Sequence, residues 1–244
     1  MSSLIDINNL VFYPTPEHDC SYLDNRQSRS IFLSPDQAMD ESSYMQLTDL
    51  GFRRSGGHIY RPWCDDCNEC KSVRVPLAGF SLSKNQKRVI NRNKDLEVTF
   101  EAPSNSDEIY NLYETYINLR HSDGDMYPPS REQFESFLCQ SPPSSHTQFV
   151  CFRLDQQLLA VAVIDLLSKG VSAIYTFFDP AHDARSLGRL AVLWQIQWAS
   201  KQKMQYVYLG YWIKDCQKMA YKAEYKPLQV FEGLIWKTLE PYEV

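Results

Sequence analysis

The sequence predicts an α+β protein in which a mixed, mainly antiparallel sheet with flanking helices follows a smaller, cysteine-containing N-terminal domain. Hydrophobic residues make up 43% of the 244 residues, enough to build a sizeable core. In the second half, consecutive apolar runs are joined by short polar turns, and three closely spaced cysteines mark the first part. We therefore place the N-terminal domain at residues 1–80 and the sheet domain at residues 81–244.

The N-terminal domain is predicted to contain one helix and several short strands. Residues Asp36 to Leu50 are predicted to form a helix that Gly51 ends. Ser55-Gly56-Gly57 predicts a turn between two short strands, and Lys71 to Leu77 predicts a further strand. The serine-rich, basic stretch that begins at residue 81 then indicates the domain boundary.

In the second domain, helix-type and strand-type periodicities alternate. The predicted strands are Leu96–Glu101, Gln148–Leu154, Leu158–Leu167, Val171–Phe178, Gln205–Tyr211 and Leu228–Trp236. The predicted helices are one that Ser106 caps, a second over 131–140 that Pro142-Pro143 ends, and two more over Arg185–Lys201 and Lys214–Tyr225. Short turns around residues 155 and 169 predict antiparallel hairpins. The resulting order, β-α-α-β-β-β-α-β-α-β, resembles the acetyltransferase-type (GNAT) fold.

The three spaced cysteines are Cys64, Cys67 and Cys70. The thiolate is the form that binds metals, and zinc or an iron–sulfur cluster takes four ligands. Cys20 or His58 is the candidate for the fourth ligand. The alternative interpretation is a set of reduced cysteines at a tight turn.

The seven cysteines, an odd number, favour a reducing compartment over a disulfide framework. The sequence has no apolar run of membrane-spanning length, and residues Met1 to Asp6 lack the pattern of a signal peptide. We therefore expect a cytoplasmic protein.

The net charge of −5 conceals two basic regions, 81–102 and 184–244. The first contains Lys84, Lys87, Arg88 and Arg92, and the second contains lysines at every fourth position, namely Lys214, Lys218, Lys222 and Lys226. On a helix, these four lysines would share one face and repel one another, which a polyanion would relieve. The pattern therefore favours RNA binding, and ordinary surface lysines are the alternative.

The loop before the third predicted helix of the second domain lies where acetyltransferases of this fold bind a pyrophosphate. Arg185-Ser-Leu-Gly188-Arg-Leu190 matches their Gln/Arg-x-x-Gly-x-Gly/Ala pattern only in part, because Leu190 replaces a small residue. Upstream of this loop, Asp179 is predicted at the mouth of the cleft and Tyr175 on the strand behind it. Asp179 is a candidate proton acceptor, or alternatively a turn residue.

Several short motifs occur in the same order as in one known family. They are Cys20-Ser-Tyr-Leu-Asp-Asn-Arg26-Gln-Ser-Arg29, Gly51-Phe-Arg-Arg54-Ser-Gly, Tyr60-Arg-Pro-x-Cys64-x-x-Cys67-x-x-Cys70, Val73-Arg74-Val75-Pro76, Ser83-Lys-x-Gln-Lys-Arg88, Arg92-Asn93, Tyr175-Thr-Phe-Phe-Asp-Pro180, Arg185-Ser-Leu-Gly188, Tyr208-Leu-Gly-Tyr-Trp-Ile213, Lys218-Met-Ala-Tyr-Lys222 and Lys226-Pro227. In these motifs the chain resembles the bacterial aspartate/glutamate leucyltransferases, relatives of the eukaryotic arginyl-tRNA–protein transferases.

The resemblance implies an aminoacyltransferase that moves leucine from leucyl-tRNA to the α-amine of proteins beginning with Asp or Glu, marking them for degradation by the N-degron route. Its implied partners are leucyl-tRNA and proteins with an acidic N-terminus, and no membrane. No cofactor is required for the chemistry, although a zinc or iron–sulfur centre held by Cys20, Cys64, Cys67 and Cys70 is possible. In the arginyl enzymes one cysteine pair is adjacent, and its first member would fall on Glu69 here, which puts that centre in doubt.

Roles for individual residues follow from this chemistry. Asp179 is expected to take a proton from the acceptor amine, and Tyr175 to stabilise the oxyanion or the leaving ribose hydroxyl. An arginine is expected to bind the acidic side chain of the acceptor, because a guanidinium pairs with a carboxylate through two hydrogen bonds. The candidates are Arg54, Arg74 and Arg185. The two basic regions are expected to bind tRNA. The alternatives are an acetyl-CoA-dependent N-acetyltransferase and a non-catalytic RNA-binding module with a structural metal.

Overall fold

The computed structural model describes residues 9–37, 39–142 and 144–240. The predictions made for Met1–Asp6 and for Pro143 fall outside these ranges. Within them, no helix is long and apolar enough to cross a membrane.

The first part of the chain forms a small sheet with one helix. The sheet has the order β1-β4-β6-β5, and a separate pair is formed by β2 and β3. The strands are β1 Phe12–Pro14, β2 His18–Asp19, β3 Gln27–Ser28, β4 Ser30–Leu33, β5 Arg53–Ser55 and β6 His58–Pro62. As predicted, the turn at Ser55-Gly56-Gly57 joins two short strands.

Helix α1, Glu41–Asp49, is shorter than the helix predicted over Asp36–Leu50. It begins later because the Asp40 carboxylate accepts a hydrogen bond from the Ser43 amide at 2.8 Å, which satisfies a free N–H of the first turn. After the helix, Gly51 adopts φ +84°, a conformation that side chains other than glycine rarely take.

An eight-stranded sheet forms the centre of the molecule, in the order β14-β13-β7-β12-β11-β10-β9-β8. Its strands are β7 Lys71–Pro76, β8 Glu97–Glu101, β9 His146–Leu154, β10 Gln157–Leu167, β11 Gly170–Phe178, β12 Tyr206–Trp212, β13 Gln229–Glu232 and β14 Ile235–Thr238. Every described pair is antiparallel except β11 with β12. This confirms the predicted mixed, mainly antiparallel sheet.

Strand β7 comes from the first 80 residues yet lies inside the large sheet, between β12 and β13. Its residues Val73 and Val75 are fully buried in the core of that sheet. The division at residue 80 stays a prediction, and the pairing of β7 joins the two sides of that boundary.

Helices cover both faces of the sheet. On one face, α3 (Asp107–Arg120) and α4 (Arg131–Phe134), which continues as a π-helical turn over Glu135–Cys139, pack on β9, β10 and β11. On the other face lie α2 (Lys84–Arg92) and α5 (Leu187–Lys201). The predicted hairpins and helices of this region are confirmed, with ends that differ by a few residues.

Two predictions about the chain path are wrong, and one helix was not predicted. The segment 81–94 is mostly helix α2, because Ser83 and Gln86 form a capping box in which each side chain bonds the other's backbone N–H. The strand predicted over Leu228–Trp236 is a hairpin whose turn residues, Gly233 and Leu234, both have positive φ.

The second wrong prediction is the helix over Lys214–Tyr225. The segment instead contains turns and a short 3-10 helix, Ala220–Glu224. Ala223 and Tyr225 are both buried although they are two residues apart, and a surface helix would direct them to different faces. Packing therefore overrides the helical propensity of this segment, and its four lysines do not share a helical face.

Candidate active site

The large sheet splits between β11 and β12. These parallel strands pair only over Gly170–Ser172 with Tyr206–Tyr208. Immediately beyond this stretch each strand contains a bulge against its other neighbour, at Ile174 in β11 and at Leu209 in β12. A bulge bends a strand and increases its twist, so the two strands diverge. Their carboxyl ends are therefore unpaired with one another, and we call the region between these ends the crevice, since open sheets bind ligands at such a position.

Asp179 directly follows β11, as the sequence predicted. One carboxylate oxygen accepts a hydrogen bond from the Ala181 N–H at 2.9 Å, and the other lies 2.9 Å from Nδ1 of His182. The two side chains are 19% and 29% exposed, so the pair is accessible to a reactant. His182 was not among the predicted site residues, and the only sequence signal for it is its position three residues after the aspartate.

Tyr175 lies on β11 within a cluster of aromatic rings. Its neighbours include Tyr116 on α3, Phe137 and Phe177, at centroid distances from 5.5 to 6.5 Å. Burial raises the pKa of Tyr175, and Tyr116 raises it further. The phenol therefore stays protonated and can only donate or accept a hydrogen bond.

The four predicted lysines occupy different environments. Lys214 and Lys226 are exposed, and Lys218 pairs with Asp123 at 2.9 Å. Lys222 turns inward and donates a hydrogen bond to the carbonyl of Tyr211 on β12. Burial, and after it the charge of Arg53, lowers the pKa of Lys222 to about 8. Because its ammonium is held against a crevice strand, Lys222 is not placed as one of a row of surface phosphate contacts.

Each of the three arginines proposed to read the acceptor already pairs with a carboxylate. The fully buried Arg54 donates to Asp165 through Nε at 2.6 Å and Nη2 at 2.9 Å. Arg74 bonds Asp49 at 3.0 Å, and Arg185 bonds Asp95 at 2.8 Å. These pairs hold parts of the chain together and leave Arg54 no exposed donor.

Helix α2 presents the first basic cluster on one exposed face. Lys84, Lys87, Arg88 and Arg92 are all exposed. Arg92 donates to the carbonyl of Ala184 and Arg88 to Asn85, and within the described ranges none of the four forms an ion pair with a carboxylate. The opposite face, including Val89 and Ile90, packs on the core. The basic region 81–102 therefore places an exposed, unpaired basic face on α2, and nucleic-acid binding by this face stays a prediction.

The four cysteines proposed as metal ligands are free thiols that influence one another. Burial, with smaller contributions from Cys64, Cys20 and Cys67, raises the pKa of Cys70 to about 12. In the part of the chain that the structure describes, no group of three or more His, Cys, Asp or Glu side chains is arranged to hold a metal ion. The zinc or iron–sulfur centre therefore stays a prediction.

The loop proposed to bind a pyrophosphate has another packing role. A Cβ on Gly188 would lie 3.2 Å from the ring of Phe178, so the glycine allows α5 to approach β11 closely. Leu190 is 7% exposed and belongs to the core. Both residues serve contact between helix and sheet, which weakens the acetyl-CoA alternative.

Comparison with known proteins identifies the family. Residues 18–88 match the family model for the N terminus of arginine-tRNA-protein transferase, and residues 108–232 match the model for its C terminus. The sequence is 50% identical over 236 residues to aspartate/glutamate leucyltransferases of Pseudomonas fluorescens (strain SBW25) and Stutzerimonas stutzeri (strain A1501), in each case over 97% of this chain and 100% of the relative. The chain belongs to this leucyltransferase family.

Family membership confirms the resemblance drawn from the short motifs. The leucyltransferase motifs Tyr175–Pro180 and Tyr208–Ile213 lie on the two strands that border the crevice, and Lys218–Lys222 follows the second. A crystal structure of FemX is also similar, with a TM-score of 0.47 and 8% identity over 86% of this chain and 82% of that one, a likeness too low to support a functional argument.

Proposed function

We propose that this protein transfers leucine from leucyl-tRNA to the α-amine of proteins that begin with Asp or Glu. One observation carries the proposal: the 50% identity, over the full length of the relatives, to curated aspartate/glutamate leucyltransferases. The product would expose leucine at the N-terminus and direct the protein to degradation by the N-degron route.

The chemistry asks little of the enzyme beyond positioning. The aminoacyl ester is already activated, so neither ATP nor a covalent enzyme intermediate is required. An α-amine has a pKa of about 7.7–8.0, so a useful fraction is unprotonated at neutral pH. Holding the amine against the ester carbonyl in the crevice between β11 and β12 converts a bimolecular reaction into an effectively unimolecular one.

We assign the proton transfer to the pair formed by Asp179 and His182. The carboxylate fixes the orientation of the imidazole through Nδ1, so Nε2 is the atom free to accept the proton of the attacking amine. Tyr175, whose phenol remains protonated, is the proposed donor to the oxyanion or to the leaving ribose hydroxyl.

We propose that the basic face of α2 binds the tRNA. Its four cations, Lys84, Lys87, Arg88 and Arg92, are exposed and have no described carboxylate partner. The exposed Lys214 and Lys226 extend the proposed surface. Lys226 is two residues from Glu224, whose carbonyl accepts a hydrogen bond from Gln86 of α2 at 3.2 Å. Because each guanidinium of Arg54, Arg74 and Arg185 already bonds a carboxylate, we assign the acceptor to none of the three.

One assay tests the function. The protein is mixed with labelled leucyl-tRNA and a peptide that begins with Asp or Glu, with and without ribonuclease, and in parallel with acetyl-CoA. Leucine transfer that ribonuclease abolishes is the expected result. Transfer from acetyl-CoA alone, or tRNA binding without any transfer, would contradict the proposal.

Two further parts of the proposal concern the cellular compartment and the metal centre. The reaction is placed in the cytoplasm, where leucyl-tRNA is made for translation. The zinc or iron–sulfur centre stays a prediction that no step above uses, and metal analysis of anaerobically purified protein tests it.

A further inference from the structure

Two cations lie together at the crevice without a carboxylate to neutralise them. Arg53 on β5 is 5% exposed, and its guanidinium donates only to the carbonyls of Thr48 and Phe52 and to the hydroxyl of Ser72. Its Nε is buried without a hydrogen-bond partner. The partly buried Lys222 donates to the carbonyl of Tyr211. Among the described residues neither cation forms an ion pair.

The titratable groups around the two cations are neutral or cationic. Arg53 faces the phenols of Tyr44, Tyr60, Tyr208 and Tyr211, and the pKa of each is raised by burial. Lys222 faces Arg53 itself, the Cys216 thiol and, with its Nζ 6.0 Å from the ring centroid, Tyr221. The two carboxylates that bond these phenols, Asp49 at Tyr208 and Asp165 at Tyr44, already pair with Arg74 and Arg54. The immediate neighbours of the two cations therefore supply hydrogen-bond acceptors and no carboxylate of their own.

A buried cation without a counter-ion is costly, and here two such cations repel one another. An anion that enters the crevice would neutralise them, and the fixed positive charge would bind it more strongly than an exposed lysine does. The structure therefore has the charge distribution of an anion-binding subsite that lacks its anion.

Only Lys222 can touch such an anion. Its side chain is partly exposed, whereas Arg53 is closed off behind the strands. Gly210, in the diverging part of β12, leaves space beside the ammonium, since a Cβ there would lie 3.8 Å from Nζ of Lys222. We propose that Lys222 binds the side-chain carboxylate of the acceptor's first residue, with Arg53 strengthening the site from behind as a positioning residue.

This inference rests on the proposed function, which supplies an acceptor whose first side chain carries one carboxylate. A single half-buried ammonium suits a single carboxylate. A phosphate backbone instead needs several exposed cations in a row, which helix α2 provides. The acceptor side chain is therefore favoured over tRNA as the anion.

The test combines a change in the enzyme with a change in the acceptor. Transfer to two peptides that differ only in Glu or Gln at the first position is measured with the wild type, Lys222→Met, Lys222→Arg and the control Lys203→Met, which alters an exposed lysine elsewhere. We expect Lys222→Met to lower the preference for Glu over Gln at least about tenfold, mainly through KM for the Glu peptide. Lys222→Arg should keep part of the preference, and KM for leucyl-tRNA should stay unchanged.

The outcomes separate a failure of the Lys222 inference from a failure of the proposed function. If Lys222→Met lowers transfer to both peptides equally, or raises KM for leucyl-tRNA instead, Lys222 does not read the acceptor side chain. If the wild type transfers leucine to neither peptide, the proposed function itself fails.

A second measurement avoids dependence on folding of the variants. In the wild-type protein, mass spectrometry follows the labelling of Lys222 by an amine reagent in large excess over the peptide. Protection by the Glu peptide and not by the Gln peptide is expected. Equal protection by both would overturn the inference.

Discussion

Asp179 shows what the sequence can reveal about a single residue and what it cannot. Its position at the end of a strand before Pro180 could be predicted, because the apolar run of β11 and its turn chemistry are local features. Its pairing with His182 could not, since that depends on the 3-10 turn which Asp179 itself caps. Equally, nothing local in Arg54 distinguishes a residue that binds an acceptor from one that bonds Asp165, 111 positions away.

Replacing Asp179 by Asn tests the proton-transfer role. The amide can still accept the hydrogen bond of Ala181 but no longer offers His182 a carboxylate partner. We expect kcat for transfer to fall about 100-fold, in line with the loss of a general acid–base group, with little change in KM for leucyl-tRNA. Single-turnover transfer near neutral pH measures this. Asp183→Asn, which changes an exposed acid paired with Arg120, is the control. Full activity of a normally folded Asp179→Asn protein would exclude the role.

Lys222 makes stability depend on pH. Its pKa of about 8 lies below the ordinary value of 10.5, so between these values the folded state binds fewer protons than the unfolded state. The contribution of Lys222 to the free energy of unfolding therefore rises with pH across this window, and its burial penalty is complete below about pH 8. We expect Lys222→Met to be more stable than the wild type by about 1–2 kcal/mol near neutral pH, since partial exposure screens the charge.

Urea unfolding of both proteins at several pH values measures this difference. The advantage of Lys222→Met should shrink as the pH rises from about 8 towards 10.5 and should be lost above that value, where Lys222 is deprotonated in both states. A difference that does not change with pH would show that the ammonium carries no burial penalty.

At the scale of elements, the sequence analysis missed one helix, α2, and predicted another, after β12, that does not form. The capping box of Ser83 and Gln86 is a local signal that could have identified α2, although its basic composition suggested a boundary. The four-residue spacing of the lysines from Lys214 suggested a helix that packing at Ala223 and Tyr225 prevents. Periodicity of charged residues alone does not define a helix, because the buried residues decide the chain path.

Charge reversal on α2 tests the tRNA surface. Lys87→Glu together with Arg88→Glu should weaken tRNA binding and reduce the slope of affinity against salt by about one for each phosphate that the surface no longer neutralises. Fluorescence anisotropy with labelled tRNA over a range of salt concentrations measures both quantities. The double variant should fold normally, because the two side chains are exposed. Lys237→Glu, which alters an exposed lysine on the edge strand β14, serves as the control, and equal effects of the two reversals would indicate only a change in net charge.

At the scale of the whole molecule, one buried network joins the small sheet to the large one. Asp165 on β10 accepts hydrogen bonds from Arg54 on β5, from the Tyr44 hydroxyl on α1 at 2.6 Å, and from Thr147 on β9 at 2.6 Å. The sequence predicted the strands and the helix but not this connection, because its partners are far apart along the chain. The network fixes the cysteine-containing part against the sheet that contains the crevice.

Breaking this network should destabilise the protein more than breaking a surface pair. Arg54→Met leaves the Asp165 carboxylate buried and uncompensated, and we expect a loss of about 3–5 kcal/mol in the free energy of unfolding. Arg185→Met breaks the more exposed pair with Asp95 and should cost less than about 1 kcal/mol. Urea denaturation followed by circular dichroism compares the two, and similar losses would contradict the structural role of Arg54.

The short contact between β11 and β12 has a mechanical consequence. The sheet has two halves, one formed by β8 to β11 and the other by β12, β7, β13 and β14. Three residue pairs, between β11 and β12, join them. Helix α5 packs on β10, β11 and β12 and so spans this short contact. Gly170 permits the pairing, because a Cβ there would come within 2.1 Å of the Tyr206 carbonyl oxygen. A larger residue at position 170 would have to move β11 away from β12, which would alter the spacing of the two strands where we propose that the ester and the amine meet.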